Sequence, residues 1–119
     1  MAEKTMKNFQ QTIIKKVKIS GIGLHTGIVS NMTFVPAKID YGIVFQRIDL
    51  IERPLIKANV DNVSDISRGT TLKQNNAYIN TVEHTLAAVV GLEIDNILIQ
   101  IDGPEPPIMD GSSIEFIKV

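Results

Sequence analysis

The alternation of hydrophobic and polar positions predicts a first β-strand at residues 12–20, which read TIIKKVKIS. Within it, residues 16–19 alternate lysine with valine or isoleucine, and a period of two is typical of a strand with one face in water. Residues 21–27 contain three glycines in seven positions. Such a density of glycine indicates positive φ angles or a close backbone approach, so this segment is predicted to be a shaped loop.

Six further segments have the β-branched composition or the alternation of a strand. They are residues 28–35, 41–48, 56–60, 69–72, 77–79 and 95–101. Pro36 ends the first of them, and residues 74–76, Gln-Asn-Asn, predict a hairpin turn. In the last of them Ile97, Ile99 and Ile101 share one face, which is therefore expected to face the core.

The strongest helical pattern follows residue 79. Asn80 is a good N-cap residue and Glu83 lies three positions on, which is the spacing of a capping box. Gly91 is predicted to end the helix as its C′ residue. The apolar stripe of this helix is Val82, Leu86, Val89 and Val90. A second helix is predicted to begin at residues 114–117, and we expect the natural protein to continue beyond it.

Together these elements predict an α+β fold, with residues 1–119 forming a single domain. Helices would cover one face of a mostly antiparallel sheet, giving two layers. The length of 119 residues and the hydrophobic content of 44% are those of one globular domain that can bury a core.

Composition and charge argue against several classes of function. A net charge of −1 gives no attraction to nucleic acid or to an anionic membrane, and a nucleic-acid-binding domain normally carries a basic face. The chain has no cysteine, so any metal must be held by histidine and carboxylate. No apolar secretory signal is visible, and no apolar run approaches the length of about 20 residues that a membrane span needs. We therefore expect a cytoplasmic protein without an integral membrane segment.

Two histidines are available for metal or acid–base chemistry, His25 and His84. His84 follows Glu83 near the predicted helix start, and both have a structural alternative: the glutamate as a capping residue and the histidine as a packed side chain. His25 lies in the glycine-rich loop, and such loops shape either a site or a tight turn. Neither histidine has a second ligand at helical spacing, so the residues alone do not form a catalytic zinc site, which needs three protein ligands.

Residues 107–113, PIMDGSS, suggest a different chemistry. A Gly-Ser-Ser sequence at a helix start can hold a phosphate on backbone N–H groups and hydroxyls, and small-molecule kinases with a ribosomal-S5-like fold use a loop of this general kind. Here there is one glycine and no lysine, and Asp110 would repel a phosphate. A helix N-terminus capped by Asp110 or Ser112 is the simpler interpretation.

Four motifs taken together resemble one family. They are residues 21–27 (GIGLHTG), 81–84 (TVEH), 91–96 (GLEIDN) and 104–112 (PEPPIMDGS). In this order and at these distances they resemble the UDP-3-O-acyl-N-acetylglucosamine deacetylases of lipid A biosynthesis. Residues 45–50 and 67–71 also match and look closest to members from the Bacteroidetes group, some of which are fused to a 3-hydroxyacyl-carrier-protein dehydratase.

The resemblance implies roles for individual residues. His84 matches the zinc ligand that the family's first domain contributes, and Glu83 matches the general base that activates water for attack on the acetamide carbonyl. The substrate would be UDP-3-O-acyl-N-acetylglucosamine, and the fold would be the ribosomal S5 domain 2-like two-layer sandwich. His25, Thr26 and Asp110 match positions near the site. The role of His25 stays open, and the turn that contains Asp110 is expected to be structural or to support the residues that form the site.

The resemblance also implies that this chain is the first of two deacetylase domains. The family completes its zinc site with a histidine and an aspartate four residues apart on a helix of the second domain. We therefore expect Zn²⁺ as the cofactor and that second domain as a partner. Two other interpretations stay open: a non-catalytic S5-like module that binds a nucleotide or a protein, and half of a small-molecule kinase.

Overall fold

The computed structural model describes residues 9–67 and 69–108. Within these ranges the chain forms eight strands and one α-helix, which lies between the last two strands. Their bounds are β1 Val17–Ile22, β2 Val29–Pro36, β3 Ile43–Arg47, β4 Leu55–Lys57, β5 Val63–Asp65, β6 Thr71–Gln74, β7 Ala77–Ile79, α1 Glu83–Gly91 and β8 Ile97–Ile101. A 3-10 turn at Val60–Asn62 lies between β4 and β5. The helix predicted at residues 114–117 lies outside the described residues.

A five-stranded sheet forms one layer, in the spatial order β1-β2-β8-β3-β4. Neighbouring strands are antiparallel except β3 and β8, which run parallel. The last of the described strands therefore lies at the centre of the sheet. β8 reads Ile-Leu-Ile-Gln-Ile, with its three isoleucines buried and Leu98 and Gln100 partly buried, which is the alternation of a strand that packs one face on the core.

The core lies against one face of this sheet. Four fully buried side chains stand in one row across β2, β8, β3 and β4, namely Phe34, Ile99, Phe45 and Ile56. Ile97 and Ile101 of β8 are buried on the same face as Ile99, as predicted. The second layer completes the cluster with Leu72, Ala77, Ile79, Val82 and Val89. The predicted α+β arrangement of two layers is confirmed.

Strands β5, β6 and β7 form a separate antiparallel sheet. The β6–β7 hairpin turns at Asn75, which has a φ of 58°, and asparagine tolerates this left-handed conformation better than most residues. The hairpin predicted at residues 74–76 is thus confirmed. Arg47 joins the two sheets, because its guanidinium donates to the backbone oxygen of Tyr78 and to both carboxylate oxygens of Asp49.

Some strand bounds differ from the prediction. β1 begins at Val17, although its predicted alternation is confirmed by its burial pattern. The preceding residues leave the ladder because the backbone oxygen of Gln11 accepts the N–H groups of Asp95 and Asn96. The strand predicted at residues 56–60 ends early, where the 3-10 turn begins. All residues of β5 are exposed, so this strand lacks the apolar pattern by which it could be predicted.

The start of α1 contradicts the predicted capping box. The helix begins at Glu83, its N-cap position is Val82, and no side chain caps it. Thr81 adopts a left-handed conformation with a φ of 56°, which breaks the helical path just before this start. Asn80 accepts a hydrogen bond from the Thr71 hydroxyl at 2.9 Å instead of capping the helix. Glu83 is therefore the first helical residue and not the third.

The end of α1 also differs from the prediction. Gly91 is still helical, and Glu93, with a φ of 60°, takes the left-handed position expected for that glycine. Val90 is 62% exposed and so does not belong to the apolar stripe, whereas Val82 and Val89 are fully buried. With nine residues, α1 is short, and among the described residues no helix has the length and apolar character to cross a membrane.

Replacing Ile99 by alanine should destabilise the fold by about 2–5 kcal/mol, because the substitution leaves a cavity at the centre of the buried row. Urea denaturation followed by circular dichroism measures this loss. Ile51→Ala is the matched control, since it makes the same change at a side chain that is 93% exposed. It should stay within about 0.5 kcal/mol of the parent chain. Equal losses in the two variants would contradict this position of the core.

Candidate active site

The glycine-rich loop at residues 23–27 joins β1 to β2 and lies against the segment that follows β8. Gly23 forms an isolated bridge with Pro107, and its N–H donates to the backbone oxygen of Ile28 at 3.0 Å. A Cβ atom on Gly23 would overlap a side-chain oxygen of Glu105. The predicted close backbone approach is therefore confirmed at this glycine.

A buried carboxylate anchors this loop. Glu105 is 2% exposed, and its oxygens accept the backbone N–H of His25 at 3.0 and 3.1 Å and that of Thr26 at 2.8 Å. The ring Nδ1 of His25 lies 3.2 Å from Glu105 Oε2 and 3.0 Å from the hydroxyl oxygen of Thr81. Polar groups from the loop and from the entrance to α1 thus converge on one side chain.

These contacts keep Glu105 ionised. Burial by itself raises the pKa of this carboxyl group. The backbone N–H groups of Thr26 and His25, together with the hydroxyls of Thr81 and Thr26, outweigh burial and lower the pKa from 4.5 to about 2. Hydrogen bonds to the charged form stabilise that form. Glu105 therefore places a fixed negative charge next to His25 at neutral pH.

Glu83 directs its carboxylate at the turn that precedes β6. Its Oε1 accepts the backbone N–H of Thr70 at 2.9 Å. Gly69 leaves room for this contact, because an added Cβ would lie 3.0 Å from Glu83 Oε2 and 3.5 Å from the hydroxyl oxygen of Thr81. Gly69 also has a φ of 105°, which strongly favours glycine. The position of the Glu83 carboxylate thus depends on a glycine in another element.

The pKa of Glu83 lies below its ordinary value of 4.5. Burial raises this pKa, but hydrogen bonds from the backbone N–H groups of Thr70 and of Glu83 itself, together with electrostatic interaction with His84 and His25, lower it by more than burial raises it. The carboxylate is therefore ionised at neutral pH. Both histidines lie within electrostatic range of it.

His84 is exposed on the first turn of α1 and lines a cleft of about 200 Å³. The other lining residues are Leu24, Thr81, Thr85, Pro106, Pro107 and Ile108. Most of this wall is apolar, with a few polar groups near the helix start. A concave, mainly apolar surface with a small number of polar groups is typical of a ligand site.

The structure brings the predicted residues Glu83, His84 and His25 to one end of the molecule. Glu83 and His84 are successive residues of α1, so their side chains project about 100° apart. His25 approaches from the β1–β2 loop and contacts the hydroxyl of Thr81, the residue from which the chain enters α1. The three side chains therefore form one site, built from two distant parts of the sequence.

Thr26 and Asp110 were also predicted to lie near the site. Thr26 donates its N–H to Glu105, and its hydroxyl oxygen accepts the N–H of Ile28 at 3.2 Å. Thr26 therefore stabilises the loop. Asp110 lies outside the described residues, so its structural role stays a prediction.

Two residues of the site are not singled out by the sequence. Glu105 lies between Pro104 and Pro106, where no periodic pattern reveals that a carboxylate is buried. Thr81 reads as an ordinary residue near a helix start, because a left-handed φ at threonine has no sequence signal. The one indirect signal is Gly23, which must leave room for a neighbouring group.

The described residues fit only part of a metal site. Among residues 9–67 and 69–108, no group of three or more histidine, cysteine, aspartate or glutamate side chains is placed to hold a metal ion. His84 can supply one nitrogen ligand, with the Glu83 carboxylate beside it. A catalytic zinc ion needs three protein ligands, and the described residues do not bring that number together.

Comparison with known proteins identifies the family. A protein-family model described as "LpxC: UDP-3-O-acyl N-acetylglycosamine deacetylase" matches residues 10–119. The chain belongs to this deacetylase family. The match covers all the motifs from which the resemblance was inferred, and that resemblance is confirmed.

Three relatives show what share of a full-length family member this chain covers. The chain is 46% identical to the bifunctional enzyme LpxC/FabZ of Chlorobaculum tepidum and 47% identical to that of Bacteroides thetaiotaomicron. It is also 47% identical to the UDP-3-O-acyl-N-acetylglucosamine deacetylase of Citrifermentans bemidjiense. Each match covers 92% of this chain but only 23%, 24% and 36% of the respective relative. The chain thus spans from just under a quarter to just over a third of the length of these proteins.

Glu105→Gln should destabilise the deacetylase chain most at neutral pH and progressively less in acid. The folded pKa of about 2 lies below the ordinary value of 4.5, so the stabilising contribution is present above the ordinary pKa and is lost as the pH falls toward the folded pKa. A pKa difference of this size corresponds to about 3 kcal/mol. Urea denaturation from neutral pH down to about pH 3 measures the difference in unfolding free energy between the two proteins.

Glu52→Gln serves as the control for this experiment, because Glu52 is exposed. Its unfolding free energy should follow that of the parent at every pH. If the deficit of Glu105→Gln stayed constant across the pH range, the ionised and hydrogen-bonded state of the buried carboxylate would be contradicted.

Proposed function

We propose that this chain is the part of a zinc-dependent deacetylase that contributes the general base and one zinc ligand. The reaction is the removal of acetate from UDP-3-O-acyl-N-acetylglucosamine in lipid A biosynthesis. The observation that carries this proposal is the pair formed by Glu83 and His84, in which an ionised carboxylate stands next to an exposed imidazole at a cleft. The relative from Citrifermentans bemidjiense, a UDP-3-O-acyl-N-acetylglucosamine deacetylase, supports the same substrate.

Glu83 is suited to take a proton from water. Its lowered pKa keeps the carboxylate ionised, and a carboxylate has about four lone-pair sites. The N–H groups of Thr70 and of Glu83 itself occupy part of this capacity, and the rest is available to a water molecule. The competing role as a helix cap is removed, because α1 has no side-chain cap and Asn80 bonds elsewhere.

His84 is suited to bind the metal. Neutral imidazole is a common zinc ligand, and His84 is exposed on the same helical turn as the base. Ligand and base are therefore held by one short stretch of rigid backbone. When bound, zinc supplies the Lewis acidity that makes water acidic and a carbonyl electrophilic. A carboxylate with a low pKa can accept a proton only from water that has been made acidic, so Glu83 depends on the ligand beside it.

The remaining ligands must come from outside the described residues, which contain no group able to hold a metal. The chain corresponds to 36% of the Citrifermentans relative, which leaves length for a second domain. We infer that this second domain supplies the histidine and the aspartate, four residues apart, that complete the site.

An apolar surface beside the cleft supports contact with such a domain. Its residues, each more than half exposed, are Ile22, Leu24, Ile28, Val29 and Ile108. Ile22 and Val29 are paired at the end of the β1–β2 hairpin, while Leu24 and Ile108 line the cleft. Grouped exposed apolar side chains commonly mark an interaction site. A domain covering this surface would also shield Glu83 and His84 from bulk solvent.

In the complete polypeptide that contains this chain, His84→Ala should lose bound zinc and deacetylase activity together, because a metal ligand is removed. Glu83→Gln should keep zinc and lower kcat by about 10²–10⁴-fold, which is the usual contribution of a general base. Metal content is measured by atomic absorption. Activity is measured as acetate released from UDP-3-O-acyl-N-acetylglucosamine.

Glu52→Gln is the matched control for these variants, because it makes the same change at an exposed glutamate. It should retain both zinc and activity. If Glu83→Gln lowered the melting temperature but left kcat at the parent value, the carboxylate would be structural and the proposal would be wrong. Loss of zinc in Glu83→Gln would make the residue a ligand and would equally contradict its role as base.

The chain of 119 residues, expressed by itself, should release no acetate and should bind zinc weakly. A single histidine ligand cannot match the affinity of the usual three ligands, so calorimetry should give a Kd weaker than about micromolar. Acetate release above a metal-free control, or zinc binding at micromolar affinity or tighter, would show that no second domain is needed.

A further inference from the structure

The carboxylate of Glu105 contacts both the backbone and the ring of His25. Its two oxygens accept the backbone N–H of His25, and Oε2 lies 3.2 Å from the ring Nδ1. The Glu105 side chain is 1% exposed, whereas that of His25 is 47% exposed. One edge of the imidazole is therefore held against the buried carboxylate, and the rest of the ring is accessible to solvent.

The surroundings of Nδ1 determine which ring nitrogen carries the hydrogen. An ionised carboxylate can only accept hydrogen bonds, and the pKa of Glu105 is about 2. The Thr81 hydroxyl also lies 3.0 Å from Nδ1, and it donates its hydrogen to Glu105. The carboxylate oxygen of Glu105 and the hydroxyl oxygen of Thr81 can therefore only accept a hydrogen bond from the ring, so Nδ1 must carry the hydrogen.

We propose that Glu105 is a positioning residue for His25: it fixes the neutral imidazole with its hydrogen on Nδ1, which leaves the lone pair of Nε2 for a hydrogen-bond donor of the substrate. In a neutral imidazole the nitrogen opposite the N–H is an acceptor. Nε2 therefore accepts from a hydroxyl or amide N–H and does not donate to a carbonyl or phosphate. This inference rests on the proposed function, because His25 is taken to meet the same substrate as Glu83.

The backbone of Thr81 indicates that this arrangement is built into the fold. A β-branched residue rarely adopts a left-handed conformation, because its side chain is strained there. Thr81 nevertheless has a φ of 56° and is 6% exposed. This turn places its hydroxyl between the His25 ring and Glu105 and then sends the chain into α1 at Glu83. The same strained residue thus contributes to the position of both His25 and Glu83.

The tautomer of His25 can be measured directly by NMR. The chain contains two histidines, so ¹⁵N-labelled rings give two sets of signals in long-range ¹H–¹⁵N correlation spectra, and His84→Ala assigns them. At a pH where both rings are neutral, His25 should show a pyrrole-type Nδ1 and a pyridine-type Nε2. A hydrogen on Nε2 of His25 in the parent chain would overturn the proposal without any variant.

Two variants separate the effect of Glu105 from that of Thr81. Glu105→Gln replaces the ionised acceptor with an amide of the same shape and should move His25 to a mixture of tautomers or to the Nε2–H form. Thr81→Val keeps the β-branched shape and the carboxylate but removes the hydroxyl, so the hydrogen should stay on Nδ1. If Thr81→Val changed the tautomer of His25 and Glu105→Gln did not, Thr81 would be the residue that fixes the tautomer, and the proposal would be refuted. If Glu105→Gln does not fold, the spectra of the parent and of Thr81→Val still test whether the hydrogen is on Nδ1 and whether the Thr81 hydroxyl is needed to hold it there.

A kinetic measurement on the complete polypeptide connects the ring to the substrate. Glu105→Gln should lower kcat/KM for deacetylation by about tenfold or more, the usual effect of losing one polar contact to the substrate, with zinc content unchanged. Unchanged kcat/KM would refute a contact between Nε2 and the substrate, and loss of zinc would assign Glu105 to the metal site instead. If the parent shows no deacetylation, the proposed function fails, while the NMR result on His25 is decided separately.

Discussion

The buried carboxylate of Glu105 joins three parts of the chain that are far apart in sequence. It follows the central strand β8 and accepts hydrogen bonds from the loop at residues 23–27 and from Thr81 at the entrance to α1. A buried charge is costly unless it is hydrogen-bonded, so these donors and the carboxylate stabilise one another's positions. The distance between the His25 loop and the Glu83–His84 turn is therefore set by the same charge that both elements surround.

The topology explains how Glu105 reaches this place. β8 lies between β2 and β3, antiparallel to the first and parallel to the second. A parallel pair needs a long crossover connection, and here β4 to β7 and α1 form it. β4 joins the edge of the large sheet, and the apolar side chains of β6, β7 and α1 pack on one face of that sheet. Just after β8, Asp102 accepts hydrogen bonds from the backbone and side chain of Asn31, which directs the following residues along the β1–β2 hairpin. The crossover that parallel pairing requires thus carries Glu83 and His84 to the end of the sheet where Glu105 lies.

Local periodicity was sufficient to predict the elements whose side chains meet the core. The isoleucine row of β8, the alternation in β1 and the hairpin at residues 74–76 all follow from patterns that the fold keeps. The predicted start of the helix was wrong because tertiary contacts outweigh the local capping-box pattern there. Asn80 donates its N–H to the backbone oxygen of Pro104 and accepts from Thr71, so it is not free to cap α1. Bonds of this kind connect residues that are distant in sequence, and no window of neighbouring residues contains them.

The same tertiary contacts change which groups the Glu83 carboxylate can bind. In a capping box its carboxylate would accept the backbone N–H of the N-cap residue, whereas in the structure it accepts the N–H of Thr70 in another element, beside Gly69, as well as its own backbone N–H. Its direction is therefore set by the packing of α1 against the small sheet, and that of His25 by Glu105. Catalysis by acid–base groups depends on such preorganisation, because groups that are already in place need no ordering during the reaction. Under the proposed function, a second domain would have only to supply the remaining ligands and cover the apolar surface, since Glu83, His84 and His25 are already held close to one another.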